Sequence, residues 1–328
     1  MKRHCLHFFI TISIYQPLYN NFFHTIVQKL DPQYYKRIVA SAYKNMPSKL
    51  QKCESLIDVE QLLREEENEC LKKIKDYFDI PDNAWEKCQN KIRIYMHYCH
   101  EVYFKSSYPC IDHSFSKYDI QFFQYITKVL TMYGINPNAV NIVYDQEEHT
   151  KISACSQNPN IQKNFYTKEL EVKDKAQISF VPPKLLNASN SYTYRYTQFT
   201  PFHEGMHLFE GHVIKSKLIK QTIIKSSNKR SEIRTHQSLK EYERMQEKIA
   251  EIMPLLMFKN PHHIETLYNF SIKECLYKAH NGQKIVWNSS PANATHPDHC
   301  SELLPWILKI KDLMEKEQIN KTKIDTSV

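Results

Sequence analysis

The sequence predicts an α+β fold, mostly helical, with a small antiparallel or mixed sheet beside a helix carrying two histidines one turn apart. Three observations lead there. Long stretches repeat apolar residues at helical spacing, as in DVEQLLREEENECLKKIKDYF (58–78). Strand-like runs, short and rich in β-branched and aromatic residues, fall together between residues 139 and 182. Directly after them comes QFTPFHEGMHLFEGHVI (198–214), which sets His203-Glu204-Gly205-Met206-His207 among apolar residues.

Taken in order, residues 30–133 read as helices. The amphipathic stretch 58–78 stops at Asp79-Ile80-Pro81-Asp82, which starts another helix running to about Phe104. IQFFQYITKVLTMYG (120–134) closes on Gly134, a helix-stop residue. AVNIVY (139–144) and TKISACS (150–156) can pair as strands. KAQISFVP (175–182) ends at Pro182-Pro183, which marks it as an edge strand because proline breaks the ladder. Proline at helix position N1 would start the histidine helix at Pro201, two residues before His203, unless Pro201 kinks it. SLKEYERMQEKIAEIMPLLM (238–257) is helical, with Met245, Ile249, Ile252, Leu255 and Leu256 on one side. PHHIETLYNFSIKECLYKAHNG (261–282) follows, capped by Gly282, and SELLPWILKIKDLMEKEQ (301–318) is the last helix. The chain divides into a leader or disordered N-terminus (1–25), a helical region (26–135), a domain holding the strand-like runs and both histidines (136–318) and a polar tail (319–328).

Composition bounds the partners. The 328 residues, 41% of them hydrophobic, suit one large or two modest domains with a proper core. Formal charge is +8, densest in KSKLIKQTIIKSSNKR (215–230), which reads as a helix end and a solvated loop. That stretch lacks interleaved aromatics, so no nucleic acid is expected as a partner. No apolar run reaches the length of a transmembrane helix. Nine cysteines, an odd number without a CxxC, argue for free thiols in a reducing cytoplasm. Lys2 and Arg3 ahead of LHFFITISIY leave export through a weak leader as the alternative.

His203 and His207 carry the chemistry. Four residues apart on a helix, their imidazoles project from one face, the separation two nitrogens need to hold one zinc ion. Glu204, beside them, can reach a metal-bound water. In the 238–257 helix Glu247 and Glu251 also share a face, with small Ala250 between them to permit close approach. One carboxylate can bind the metal, and the other can orient a ligating histidine through its far nitrogen. His212 does not fit the longer HExxHxxGxxH pattern, since Glu210 and Val213 stand where glycine and histidine are required. On a continuing helix it points about 140° away from His207, so it reads as a packing or surface residue. Glu243 is a weaker candidate, because its segment lacks the small residue in the matching place. Gly205, one of four glycines, marks a close approach to the zinc helix, by a neighbouring strand on this reading.

These two motifs resemble the gluzincin zinc metallopeptidases, whose HExxH is followed by a downstream ExxxD/E. The resemblance covers about residues 139–258. It implies a gluzincin-like catalytic core with His203, His207 and Glu247 as zinc ligands and Glu251 as the acid that supports a ligating histidine. Within the group, HEGMHLFEGH is similar both to collagenase-type peptidases and to the HtpX and CAAX-processing type, for which His296-Pro297 supplies a later His-Pro. The implied activity is hydrolysis of peptide bonds in a peptide or protein substrate, by a zinc-activated water with Glu204 as general base. An oxyanion donor is still required, and Tyr277, His280, His296 and His299 are the candidates, with His296 favoured because it follows a turn. The other readings are a catalytically inactive interaction module and a basic adaptor for membranes or nucleic acid.

Overall fold

Local chemistry sets the helix ends. The computed structural model describes residues 32–104, 117–144, 154–163, 170–180, 190–233, 236–287 and 296–325. The expected leader (1–25), and parts of two expected strands (150–153 and 181–182), lie outside them. Helix α1 (Pro32–Lys44) begins on a proline, and α2 (Ser48–Gln51) is a single turn. Helix α3 (Leu56–Tyr77) opens with a reciprocal cap: Ser55 Oγ accepts from the Asp58 N–H, and the Asp58 carboxylate accepts from the Ser55 N–H at 2.8 Å. Next come α4 (Asp82–Phe104) and α5 (Lys117–Met132). The stop after α5 is the expected one: Gly134 takes φ 73° and donates to the Thr131 carbonyl.

Five short strands follow: β1 (Val140–Tyr144), β2 (Ala154–Gln157), β3 (Asn160–Lys163), β4 (Leu170–Asp174) and β5 (Ala176–Phe180). The three-stranded sheet has the order β1-β5-β2, with β1 parallel and β2 antiparallel to β5. Strands β3 and β4 pair antiparallel, so that β2–β3 and β4–β5 run as one long hairpin with a break at Asn158-Pro159. Two expectations are corrected here. The segments 139–144 and 154–156 do not pair with each other; both pair with β5. Strand β5 is therefore central and not an edge. From Ala176 to Phe180 it has a partner on each side, and Pro182 lies outside the described residues. Ala176, Ile178 and Phe180 alternate into the core, the period-two burial of a strand with one covered face.

The remaining described elements are helical: α6 (Asn190–Glu210), α7 (His212–Ser226), α8 (Gln237–Phe258), α9 (Pro261–His280), a π-helical turn (His299–Leu303) and α10 (Leu304–Asp325). Helix α6 starts well before Pro201, which lies inside it, so the histidines sit deep in a long helix and not in a first turn. Of residues 215–230, expected as a helix end and a solvated loop, 215–226 belong to α7. The last helix continues to Asp325, past the expected end near 318.

The main apolar cluster draws residues from Ile38 in α1 to Met314 in α10 and includes the buried faces of β1, β5, α6 and α8. A second cluster, with Phe78, Trp85, Ile219, Ile223 and Tyr242, joins the end of α3 to α4, α7 and α8. Helix α6 passes the end of α5 at Gly205, where a Cβ would stand 2.7 Å from Cε2 of Tyr133. An aromatic ring, in place of the expected strand, makes this close approach. Tyr133 is itself fixed, its hydroxyl donating to the Phe202 carbonyl at 2.8 Å.

Candidate metal centre

Helices α6 and α8 bring the two motifs face to face. His203 Nε2 lies 3.1 Å from Glu247 Oε2 and 3.0 Å from His207 Nε2, and His207 Nε2 lies 3.3 Å from the same carboxylate oxygen. Ala250, fully buried on α8, leaves room for this approach. Both histidines are buried, as is Glu204. Among the described residues no hydrogen bond or ion pair engages the Glu204 carboxylate. Glu243 is elsewhere, paired with Lys220 at 2.6 Å.

The far nitrogens of both rings have neighbours. Glu251 Oε1 lies 3.3 Å from His203 Nδ1, an ion-pair distance off the line of a hydrogen bond. His207 Nδ1 meets His212 Nδ1 at 2.8 Å. His212 is thus buried, as a packing residue would be, but it also orients a candidate ligand. The reason is Gly211. With φ 66° it ends α6, and α7 starts afresh at His212, so the angle for a continuing helix does not apply. His212 is held from behind, its carbonyl accepting from Gln246 Nε2 at 3.2 Å while Ser216 Oγ donates to Gln246 Oε1 at 2.9 Å.

A further histidine completes the group. His296 Nε2 lies 3.2 Å from Glu247 Oε2, although it is 89 residues beyond His207. Ligand atoms of His203, Glu247 and His296 all fall within 4.8 Å of one another, a set that could hold a metal ion. Of the other oxyanion candidates, His299 Nε2 stands 3.8 Å from Glu251 Oε1, Tyr277 is 66% exposed, and the His280 side chain lies outside the described residues.

The donor chemistry suits a cation. A tetrahedral zinc with bonds of ~2.0–2.1 Å separates its ligand atoms by about 3.3 Å, close to the spacings found here. Two imidazole nitrogens 3.0 Å apart must share a proton or a cation, since bare lone pairs facing each other repel. If His207 offers Nε2 to a metal, its Nδ1–H donates to His212 Nδ1. The proton of His212 then sits on Nε2, a buried atom without a partner among the described residues.

Without a metal, protons fill that role. Burial opposes a charge on His203, but the neighbouring carboxylates of Glu247 and Glu251 outweigh it and raise the imidazole to about 10. Burial would lift Glu247, yet hydrogen bonds from His203, His207 and His296 hold its carboxyl well below the ordinary range. Burial pushes His212 far below the usual histidine value, so it is neutral.

Around the centre the cysteine expectation is corrected. Cys275 on α9 and Cys300 in the π-helical turn form a disulfide, whereas Cys53, Cys70, Cys88 and Cys99 are free. The partners are 25 residues apart and meet only through the fold. Three of the six basic residues in 215–230 are paired: Lys215 with Glu67 and Glu210, Lys220 with Glu243, and Lys229 with Asp79. No described helix is long and apolar enough to cross a membrane. Compared with protein-family models, with curated proteins and with solved structures, the chain finds no match.

Proposed function

We propose that this chain is a zinc-dependent metallopeptidase with a gluzincin-like core, acting on a peptide or protein substrate. One observation carries the proposal: His203 Nε2, His207 Nε2 and Glu247 Oε2, from motifs forty residues apart, lie 3.0–3.3 Å from one another in a buried setting. In this reading those three side chains hold zinc, which when bound supplies Lewis acidity toward a carbonyl and lowers the pKa of water. Glu204, buried next to His203 and without a competing partner, takes the proton of the attacking water and returns it to the leaving amine nitrogen. Glu251 and His212 hold the two imidazoles in orientation from behind.

A second reading has an observation in its favour. With His296 counted, a third imidazole stands 3.2 Å from Glu247 Oε2, and a closed four-ligand set is typical of structural zinc. That would make the chain a catalytically inactive module. The deciding experiment is digestion of a peptide library by purified wild type and Glu204→Gln, each with zinc content measured. A peptidase binds near one zinc per chain in both proteins, and only the wild type cleaves, with a loss of ~10²–10⁴-fold in the variant. Full zinc occupancy with no cleavage by either favours the structural centre.

A further inference from the structure

We infer that His296 is a fourth protein ligand, which closes the centre at rest and must turn away before water or substrate can occupy its position. The inference rests on the metal-centre reading above. Three imidazole nitrogens converge on a single carboxylate oxygen: His203, His207 and His296 Nε2 lie 3.1, 3.3 and 3.2 Å from Glu247 Oε2. A donor that stabilises an oxyanion points to where the substrate oxygen will form, away from the ligand atoms. His296 points at a ligand atom itself. Its ring also lies nearly parallel to that of His203, at 19°, with the centroids 6.5 Å apart.

The backbone behind His296 is a fixed mount. Pro297 is buried. Asp298 Oδ1 accepts from the N–H groups of Cys300 and Ser301, at 3.0 and 2.8 Å, and so caps the π-helical turn. Lys278 on α9 forms an ion pair with Asp298, and the Cys275–Cys300 disulfide ties the same turn to the same helix. The His296 side chain, in contrast, is 67% exposed. Rotation about its side-chain bonds can release it while the mount stays in place.

The test uses the full oxidised chain loaded with Zn(II) or Co(II). X-ray absorption at the zinc edge of the wild type should count three imidazoles, and His296→Ala should count two. The Co(II) visible bands should change in His296→Ala and in His296→Gln, and added imidazole should restore the wild-type bands in the alanine variant. Zinc affinity, measured by chelator competition, should fall by more than the ~10–100-fold typical of losing a residue that merely supports a ligand. Peptide cleavage by His296→Ala should exceed that of the wild type.

Two imidazoles in the wild type, with unchanged Co(II) bands and zinc affinity in both variants, overturn the inference and leave the peptidase reading standing. A changed spectrum with lower cleavage overturns the closing role. A wild-type chain that takes up neither metal overturns the inference and the peptidase reading together. The exposed position of His296 makes loss of fold in these variants unexpected, and the wild-type absorption measurement does not depend on them.

Discussion

Gly205→Ala tests whether the shape of the helix carrying His203 and His207 is set by a single ring. The added Cβ would stand 2.7 Å from Tyr133 Cε2 and 2.9 Å from Cδ2, where ordinary contact begins at 3.4 Å, so about 0.7 Å must be found. Tyr133 has little room to give. Its hydroxyl is bonded to the Phe202 carbonyl, and its ring packs edge-on against Phe258, with centroids 4.9 Å apart. Overpacking of this kind costs ~1–3 kcal/mol. Removing a mid-helix glycine returns about 1 kcal/mol. The expected result is a net destabilisation of about 1 kcal/mol by denaturant unfolding of the metal-free protein. In a Tyr133→Ala background the obstacle is gone and only the helix term remains, so the same substitution should stabilise by about 1 kcal/mol. If Gly205→Ala has the same effect in both backgrounds, within about 0.5 kcal/mol, the steric argument is wrong. Because His203 and His207 flank this position, the single variant should also bind zinc more weakly than the wild type.

Three further outcomes are expected. Glu251→Gln removes the charged neighbour of His203 Nδ1, and chelator competition should show zinc affinity lowered ~10–100-fold with the fold intact; unchanged affinity would show that this carboxylate does not support the ligand. Replacing Cys275 and Cys300 by serine opens a loop closed across 25 residues and should cost about 3.5 kcal/mol in denaturant unfolding under non-reducing conditions, whereas a difference below about 1 kcal/mol would argue against the bond. Burial, aided by the neighbouring His262, lowers His263 from 6.5 to about 3. Below pH 6.5 the unfolded chain therefore binds a proton that the folded chain refuses. The contribution of His263 is complete above that pH and fades as pH falls toward about 3, at up to ~1.4 kcal/mol per unit. His263→Leu should flatten the stability profile across that window, and an unchanged slope would exclude His263 as its source.

What could be read from the sequence was whatever depends on local helix geometry. His203 with His207, and Glu247 with Glu251, share faces because residues four apart always do, and tertiary packing then had only to bring two helices together. The helix stop at Gly134 likewise acts within a turn of the chain. Features that depend on where the chain goes next were out of reach. Residue counting turned His212 away from His207, but the left-handed Gly211 breaks the helix between them and returns the ring to its neighbour. A glycine directly before that histidine was the available signal. Pro182 suggested an edge for a strand that lies at the centre of its sheet, because ladder position is decided by partners distant in sequence. The approach of His296 to Glu247 and the bond between Cys275 and Cys300 have no periodic signature at all.

The candidate ligands belong to three separately anchored pieces of chain: α6, α8 and the mount before the π-helical turn. A cation seated among them would act as a rivet through all three, so part of its binding energy would appear as mechanical cohesion of this face. Chelators should therefore loosen the junction of these pieces first, in a chain whose main apolar cluster stays closed. Amide exchange would register that as faster opening along α6 and α8 beside an unchanged α3.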